Sequence, residues 1–370
     1  MQKILVIQTA FIGDVVLATA LIESLHQQYP QAAIDVVVRK GNENLFNEHP
    51  FISELIVWDK KNSKYLNWLS ILKKIRAKKY ELLINVQRFT ATGLWTILSN
   101  ATITIGFDKN PFSFLFTHKV KHDLAILNQD VLVGEISKTE VHEINRNHKL
   151  IESLGALKLC MPKLYPTKAD YEKVKIYQTE KYITIAPASV WFTKQFPLTA
   201  WVSLMNELNF EGPIYILGGP SDKALGDQII NELVSLHSKA SNTSITSNTS
   251  NTSNTKTASK KIINLSGALG FLASATLQQK AVMNYVNDSA PLHFCSAVNA
   301  PVVAIYCSTI PAFGFGPLST NSFIVETQQK LSCRPCGLHG KKQCPFGHFN
   351  CAKTIENAQL IAPLLQMAQH

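Results

Sequence analysis

The feature that most constrains the fold of this chain is a repeated alternation of short apolar segments with segments of helical periodicity. ILVIQ is typical of a buried strand, and the next segment places Val15, Ala18, Leu21 and Leu25 on one helical face. The alternation continues to about residue 107, and a second one runs from KYITIAPAS to APVVAIYC. Alternating strands and helices form parallel sheets that are covered on both faces. The sequence therefore predicts an α/β protein with two doubly wound, Rossmann-like domains and a cleft between them.

Composition shifts suggest where the domains begin and end. We expect domains over residues 1–165 and 166–353, followed by a C-terminal helix over 354–370. MPKLYPTKADYEKVK, between the two alternations, has the composition of a linker. Residues from about 238 to 260 repeat Ser, Asn and Thr and cannot form a core, so we expect a disordered insertion there. A cysteine-bearing loop over 333–351 precedes the last helix.

Hydropathy and cysteine content indicate in which cellular compartment the protein is found. No apolar run approaches the roughly 20 residues that a membrane-spanning helix needs. MQKILVIQTAF lacks the long apolar core of a secretory signal. Seven cysteines, four of them clustered late in the chain, do not resemble a secreted disulfide framework. These features predict a cytoplasmic protein.

The formal net charge of +10 favours an anionic partner, which could be nucleic acid, a membrane surface or a phosphorylated substrate. Much of the charge lies in KKNSKYLNWLSILKKIRAKKYE, where Leu66, Leu69, Leu72 and Ile75 are spaced for one helix face. This segment is either a surface helix with a solvated basic side or a helix that lies near acidic headgroups. The sequence leaves both interpretations open.

Gly13 and Asp14 follow the first predicted strand, at the sheet edge where open α/β proteins bind ligands. Gly13 has access to backbone conformations that are closed to other residues. Asp14 falls in the first turn of the next helix, where the helix dipole stabilises an ionised carboxylate. The stretch alone does not decide between a helix cap and a catalytic carboxylate. It is not a dinucleotide fingerprint, because G-x-G-x-x-G is absent, and the chain has no P-loop motif.

Two further motifs follow predicted strands in the second domain. In APASVWFTKQFPLTAW, Ser189 and Lys194 precede a helix, an arrangement that suits a pyrophosphate, although Lys194 could also be a plain surface lysine. In YILGGPSDKAL, Gly218 and Gly219 could receive a nucleoside against the backbone, with Asp222 on the ribose hydroxyls. The alternative for the latter motif is a turn followed by a helix cap.

The fourth motif is YVNDSAPLHFCSA. Asp288 and Ser289 end a predicted strand and begin a helix, and His293 lies one turn into that helix on the same side. Four polar motifs at strand carboxyl ends, divided between two domains, predict one ligand-binding cleft.

Together these segments resemble glycosyltransferase family 9, the ADP-heptose:lipopolysaccharide heptosyltransferases, and the heptosyltransferase II branch in particular. The resemblance is carried by IGDVVLATALIESLHQQYP, the PxS…K..P..W segment, LGGPSD, INLSGALGFLASATLQQ and NDSAPLHFCSAVNAPVVAIY, in that order. It implies the GT-B fold, in which the N-terminal domain receives the acceptor and the C-terminal domain holds the nucleotide sugar. It also implies an inverting, metal-independent transfer of heptose from ADP-heptose to a lipid A–inner-core acceptor at the cytoplasmic membrane face.

By position, the resemblance implies a role for each candidate residue. Asp14 would be the general base, and Lys194 would contact the diphosphate and offset charge on the leaving ADP. Asp288 would hold heptose hydroxyls, Ser289 would face the phosphates, and His293 would support the site. Five further candidate residues keep the roles that their motifs suggest: Gly13, Ser189, Gly218, Gly219 and Asp222.

The chain departs from the family pattern in two places. The family usually has a basic residue where Gln8 stands and serines where Ala10 and Phe11 stand, and it usually has glycine where Ala290 stands. Another nucleotide sugar or another acceptor is therefore the main alternative. A relative that has lost transfer is a further one, although Asp14 and Lys194 argue against it.

The cysteine-bearing loop adds one more alternative. CRPCGLHGKKQCPFGHFNC spaces Cys333, Cys336, Cys344 and Cys351 as C-x2-C-x7-C-x6-C. A structural zinc site would fit these residue types, but the paired C-x2-C spacing of a strong site is absent. We therefore favour reduced thiols or an adventitious disulfide, and we predict no metal or other cofactor. A zinc-bearing nucleic-acid-binding protein would match the loop and the net charge. It leaves Asp14 and Asp288 unexplained, and no RNA-binding motif is present, so we expect no nucleic-acid partner.

Overall fold

The computed structural model describes residues 1–62, 64–122, 142–243 and 261–368. The chain forms two compact units. Unit 1 comprises Met1–Asp170, Ser296–Val298 and Pro311–Leu318, and unit 2 comprises Tyr171–Cys295, Asn299–Ile310 and Ser319–His370. The domain boundaries expected from the sequence, after residues 165 and 353, stay predictions, as does the cleft.

Unit 1 is built on a six-stranded parallel sheet. Its strands are β1 (Lys3–Ile7), β2 (Ala33–Arg39), β3 (Ile52–Trp58), β4 (Leu82–Asn85), β5 (Ile103–Phe107) and β6 (His118–Val120), in the order β3-β2-β1-β4-β5-β6. Its helices are α1 (Ile12–Gln28), α2 (Lys64–Lys78), α3 (Thr90–Leu98) and α4 (Glu143–Lys149), and α5 (Lys168–Lys175) begins at its end.

Unit 2 repeats this plan with a second parallel sheet. Its strands are β7 (Ile183–Ala186), β8 (Ile214–Ile216), β9 (Ile262–Asn264), β10 (Met283–Asn287), β11 (Val302–Tyr306) and β12 (Ser322–Glu326), in the order β12-β11-β10-β7-β8-β9. The remaining helices along the chain are α6 (Leu198–Glu207), α7 (Lys223–Thr243), α8 (Phe271–Lys280), α9 (Ala290–Ala297), α10 (Asn350–Lys353) and α11 (Asn357–Ala368).

The strand order reverses at one place in each sheet. The chain adds strands to one side of β1 and then crosses to add β4 on its other side, and β10 joins β7 in the same way. This is the Rossmann order, in which the loops after the two central strands diverge and leave a crevice for ligands. The predicted α/β class with doubly wound parallel sheets is confirmed.

Both sheets are apolar because helices cover both of their faces. All residues of β4, β7, β10 and β11 are buried. Thr184 Oγ1 donates to Asn284 Oδ1 at 2.6 Å, which joins β7 to β10 at the centre of the second sheet.

Three local features differ from what the sequence predicts. The supposed linker contains helix α5, strand β12 precedes the cysteine-bearing loop where no strand was predicted, and α7 continues to Thr243, into the expected disordered insertion. Once α7 is nucleated by packed residues, each further residue adds a hydrogen bond and needs no core of its own. Residues 244–260 lie outside the described residues. In α2 the buried face carries Ile71 and Ile75, whereas Leu66 and Leu69 are exposed.

A cluster of three tryptophans joins α2 and α3 to the sheet of unit 1. The ring of Trp95 is fully buried and lies 4.8 Å from Trp58 and 5.9 Å from Trp68, measured between centroids. Its indole N–H donates to the carbonyl of Trp68 at 3.1 Å. Trp95 therefore links the two helices to β3.

We expect Trp95→Ala to lower the free energy of unfolding by about 3–5 kcal/mol, because it leaves a large buried cavity. Urea denaturation followed by circular dichroism measures this loss. Leu98→Ala, in the same helix but partly exposed, serves as the control and should cost less than about 1 kcal/mol. Equal losses from the two variants would show that the tryptophan cluster does not hold α3.

Candidate active site

In unit 1, Asp14 lies in the first turn of α1, directly after the loop that leaves β1. Phe11 is the N-cap residue of the helix and makes no side-chain capping bond, so Asp14 is not the N-cap. Gly13 is the second helical residue, and its backbone is helical. Gly13 therefore does not use the wider conformational range of glycine here. The dipole of the 17-residue helix favours the ionised form of Asp14.

Two charged residues lie within electrostatic reach of Asp14. Burial lowers the pKa of the Arg39 guanidinium, and attraction to Asp14 opposes that shift. Burial raises the pKa of Glu143, Arg146 lowers it, and repulsion from Asp14 raises it further. Asp14 thus shares its surroundings with a cation at the end of β2 and an acid at the start of α4.

Contacts from Arg146 hold Glu143 in place beside Asp14. Arg146 Nε donates to Glu143 Oε2 at 2.7 Å, and its guanidinium also donates to the carbonyl of Phe313 at 3.0 Å. The amide of Glu143 donates to the carbonyl of Gly314 at 2.8 Å. These bonds fasten the first turn of α4 to the segment Pro311–Leu318, which returns to unit 1 late in the chain.

In unit 2, Lys194 and Asp288 meet at the reversal point between β7 and β10. Lys194 Nζ lies 2.7 Å from Asp288 Oδ2, and both side chains are largely buried. The hydroxyl of Thr309, just after β11, donates to the same carboxylate oxygen at 2.6 Å. The structure therefore brings two sequence-predicted residues into direct contact and adds a third, Thr309.

Asn287, the last residue of β10, connects the loops that follow the two central strands. Its amide donates to the carbonyl of Pro187 at 2.7 Å and accepts from the amide of Phe196 at 3.0 Å. Ser189 lies in that same loop, where its carbonyl accepts from Gln195 at 2.6 Å. Lys194 is thus presented on a segment that is tied to β10 at both ends.

Ser289 and His293 occupy the positions that the sequence predicts for them. The hydroxyl of Ser289 donates to the carbonyl of Asn287 at 3.3 Å, immediately before α9 begins. His293 is buried one turn into that helix.

The glycine pair after β8 forms a tight capped turn. The carboxylate of Asp222 accepts from the amide of Gly219 at 2.8 Å, and its own amide donates back to the carbonyl of Gly219 at 3.0 Å. A Cβ at Gly218 would lie 2.8 Å from the Cβ of Asp222, so only glycine fits there. Asp222 acts here as a cap, and its contact with a ribose stays a prediction.

Arg334, which sequence reasoning missed, braces the loop that carries Thr309. Its guanidinium donates to the carbonyls of Cys307, Tyr306 and Thr309, at 2.7, 3.2 and 2.7 Å, and to Glu326 Oε2 at 2.6 Å. Arg334 lies between Cys333 and Cys336, and the spacing of this segment suggested a role for the cysteines only. The only hint of this role in the sequence is that a charged arginine lies inside the loop that closes the domain.

The model of glycosyltransferase family 9 (heptosyltransferase) matches residues 68–349 of the chain. The chain belongs to glycosyltransferase family 9. Lipopolysaccharide heptosyltransferase 3 of Escherichia coli is 24% identical over 315 residues, which is 84% of this chain and 85% of the relative. The family assignment makes the protein a glycosyltransferase and confirms the resemblance seen in the motifs.

Solved structures of the family support the same fold. The E. coli ADP-heptose lipopolysaccharide heptosyltransferase II matches with a TM-score of 0.72 and 19% identity, over 100% of this chain and 99% of that one. A family 9 glycosyltransferase from Veillonella parvula DSM 2008 matches with a TM-score of 0.74 and 19% identity, over 100% and 97%. The predicted GT-B fold is confirmed.

The late cysteines of this family 9 chain are all free thiols. Cys333 Sγ lies 3.9 Å from His348 Nε2, and Cys336 Sγ donates to the carbonyl of Cys333 at 3.3 Å. Burial, reinforced by the neighbouring thiols, raises the pKa of Cys351 to about 11. Within the described ranges, no group of three or more His, Cys, Asp or Glu side chains is arranged to hold a metal ion. The expectation of a metal-free enzyme stays a prediction.

The cysteine loop supports the predicted donor residues in another way. The amide of Lys341 donates to the hydroxyl of Thr193 at 2.7 Å, and the amide of Thr193 donates to the carbonyl of Lys341 at 3.1 Å. Thr193 directly precedes Lys194. The loop therefore fixes the backbone that presents this lysine.

We expect Arg334→Met to lower the free energy of unfolding by about 2–3 kcal/mol, because it leaves Glu326 and three carbonyls without their donor. Arg334→Met combined with Glu326→Gln should lose less, since no partly buried carboxylate is then left without its partner. Chemical denaturation of the single and double variants measures the difference.

Lys175→Met is the control, since the ion pair of Lys175 with Glu172 is 3.4 Å long and exposed. That variant should change stability by less than about 1 kcal/mol. A loss from Arg334→Met as small as that of Lys175→Met would contradict the bracing role.

Proposed function

We propose that this glycosyltransferase moves heptose from ADP-heptose to a lipid A–inner-core lipopolysaccharide acceptor, with inversion at the anomeric carbon and without a metal. The observation that carries the proposal is the pair of polar sites at the two strand-order reversals. Asp14 follows the central strand of unit 1, and Lys194 with Asp288 follows the central strands of unit 2. The names of the E. coli relatives support heptose, ADP-heptose and lipopolysaccharide as the reactants.

Unit 2 supplies the donor site. A lysine ammonium has three donor hydrogens, and Asp288 occupies one of them in the structure. The others are available to diphosphate oxygens, where the positive charge offsets the negative charge that builds on departing ADP. Asp288 keeps a second carboxylate oxygen for sugar hydroxyls. Ser289 and the first amides of α9 face the same sheet edge and suit the phosphates.

Unit 1 supplies the acceptor site and the base. Asp14 takes the proton from the acceptor hydroxyl as its oxygen attacks the anomeric carbon of heptose. The bond between that carbon and the β-phosphate oxygen breaks, and ADP leaves with the bonding electrons. Attack from the face opposite ADP inverts the configuration. Glu143 and Arg39, which flank Asp14 electrostatically, set the charge around the carboxylate.

We expect the purified protein to release ADP from ADP-heptose when it is given a heptose-deficient core acceptor. Asp14→Asn should lower kcat by about 10²–10⁴-fold while the affinity for ADP-heptose is retained. Glu152→Gln, an exposed carboxylate-to-amide change in the same unit, is the control and should keep the full rate.

Full turnover by Asp14→Asn would remove Asp14 as the base. A panel of ADP-, GDP- and UDP-sugars tests the donor, and faster transfer from a donor other than ADP-heptose would overturn that part of the proposal. The anomeric configuration of the product, read by NMR, tests inversion.

We also place the enzyme at the cytoplasmic face of the inner membrane, attached at its periphery through α2. Tyr65, Leu66 and Leu69 are 79%, 71% and 48% exposed, although each has a large apolar side chain. Lysines at both ends of the helix surround them, and α2 contains no acidic residue. Among the described residues, no helix is both long and apolar enough to cross a bilayer. Exposed apolar groups framed by lysines match an anionic interface.

We expect the protein to bind vesicles that contain phosphatidylglycerol more tightly than vesicles of phosphatidylcholine alone. Leu66→Ser combined with Leu69→Ser should weaken vesicle binding roughly tenfold or more, because two apolar side chains no longer enter the bilayer interface. Co-sedimentation measures the partition. Val234→Ser combined with Leu236→Ser, two exposed apolar residues of α7, is the control. Equal binding by all three proteins would rule out α2 as the contact.

A further inference from the structure

Two adjacent residues of unit 2, Ser308 and Thr309, carry buried hydroxyl groups just after β11. Their exposed fractions are 0% and 1%. Because a buried hydroxyl is costly unless it is hydrogen-bonded, the partner of each one shows what its position requires. The two hydroxyls have different partners, and each partner leads to a different residue of the proposed donor site.

The hydroxyl of Thr309 holds one oxygen of the Asp288 carboxylate. Thr309 Oγ1 donates to Asp288 Oδ2 at 2.6 Å, and Lys194 Nζ lies 2.7 Å from that same oxygen. Two donors on one oxygen fix the rotation of the carboxylate, because turning it would break both bonds. The other oxygen, Oδ1, receives neither of these bonds, and it is the oxygen that we assign to sugar hydroxyls.

The hydroxyl of Ser308 reaches the residue that precedes Lys194. Ser308 Oγ donates to Thr193 Oγ1 at 2.9 Å, and Thr193 is itself 1% exposed. The amide of Lys341 donates to the same Thr193 oxygen at 2.7 Å. Ser308 therefore acts on the backbone from which the side chain of Lys194 extends.

The cysteine-bearing loop fixes the backbone of both residues. The amide of Cys336 donates to the carbonyl of Ser308 at 2.8 Å, and the guanidinium of Arg334 donates to the carbonyl of Thr309 at 2.7 Å. Two consecutive carbonyls are thus bonded to the same loop. Hydroxyls on a backbone that is held in this way can orient other side chains, because their own direction is set.

Hydroxyls that serve only the core are bonded differently in this protein. Those of Thr19 and Ser24 donate to backbone carbonyls three and four positions earlier in α1, which is the common choice of a helical hydroxyl. Ser308 and Thr309 instead donate to side chains that lie 115 and 21 positions away in the chain. Their bonds therefore join separate strand ends at the proposed donor site.

We propose that Ser308 and Thr309 are positioning residues for the two halves of the donor. Ser308, through Thr193, holds Lys194 in place for the diphosphate. Thr309 holds Asp288 so that one carboxylate oxygen is presented to the sugar. The proposal rests on the proposed function, because it takes Lys194 and Asp288 as the residues that bind the donor. The two hydroxyls, although adjacent in the chain, then affect the binding of different parts of one ligand.

Calorimetric titration of ADP and of ADP-heptose, without acceptor, separates the two roles. Thr309→Val should weaken ADP-heptose binding roughly tenfold or more, since Asp288 loses a charge-assisted bond and its fixed orientation. The affinity of that variant for ADP should change less than about threefold, because ADP has no heptose. Ser308→Ala should weaken both ligands by a similar factor, roughly threefold to tenfold, because both contain the diphosphate. Thr309→Ser keeps the hydroxyl and should restore most of the affinity for ADP-heptose.

Variants of the contacted residues test whether each hydroxyl acts through its partner. Ser308→Ala should add little to the loss of affinity in a Thr193→Val background, because the accepting oxygen is already absent. Thr309→Val should likewise add little to the loss that Asp288→Ala causes. Independent, additive losses in either pair would contradict action through that partner.

Two exposed residues of unit 2 provide matched controls. Thr199→Val in α6 and Ser235→Ala in α7 make the same chemical changes at the surface, and both variants should bind the two ligands as the wild type does. Thr309→Ala removes the hydroxyl without placing a methyl group against the carboxylate, and it carries the same prediction as Thr309→Val. Thermal melts within a few degrees of the wild type show that the Ser308 and Thr309 variants are folded.

Equal losses of ADP and ADP-heptose affinity in a folded Thr309→Val protein would overturn the proposal, as would wild-type binding of both ligands by the Ser308 and Thr309 variants. A loss confined to ADP-heptose in Ser308→Ala would overturn the role of Ser308. Absence of transfer by the wild type, with the binding differences intact, would instead refute heptose transfer and leave the positioning roles in place. Failure of the wild type to bind ADP would overturn both proposals.

Discussion

The placement of the proposed base and of the proposed diphosphate site depends on one constraint, the reversal of strand order in a parallel sheet that is buried on both faces. Polar groups inside such a sheet must bond to one another, as Thr184 and Asn284 do. Polar groups that meet a ligand therefore have to lie beyond the strand ends. The loops diverge where the order reverses, between β1 and β4 and between β7 and β10. Asp14 follows β1, Lys194 follows β7 and Asp288 follows β10.

In unit 2 this placement depends on a polar network that reaches across the sheet edge. A largely buried ion pair pays a desolvation cost, and further hydrogen bonds are needed to offset it. Asp288 receives one from Thr309, and Arg334 holds the carbonyl of Thr309 from the cysteine-bearing loop. The same loop fixes Thr193, next to Lys194. The loop therefore has a structural role toward Lys194 and Asp288.

Most of the fold could be predicted from the sequence, because buried parallel strands and amphipathic helices have strong periodic signatures. Strand β12 was missed because it lies at the sheet edge and is only partly buried, so its alternation is weak. Helix α5 was missed because its only buried residue is Val174. In α2, spacing placed Leu66, Leu69 and Ile75 on one helix face, but of these three only Ile75 is buried, since spacing does not tell which face meets the sheet.

The candidate site was predictable only in part. Residues that follow strands, such as Asp14 and Asp288, follow from the topology. Thr309 contacts Asp288 across 21 positions of the chain and Arg334 contacts the carbonyl of Thr309 across 25, so no local pattern marks these two residues.

The dependence of kcat on pH tests the central claim, that the ionised carboxylate of Asp14 accepts the proton of the acceptor hydroxyl. For the wild type with ADP-heptose and the core acceptor, kcat should fall about tenfold per pH unit below the pKa of the base. Asp14→Asn should retain only a slow residual rate that lacks this acid limb. An acid limb of unchanged position and height in Asp14→Asn would contradict the account.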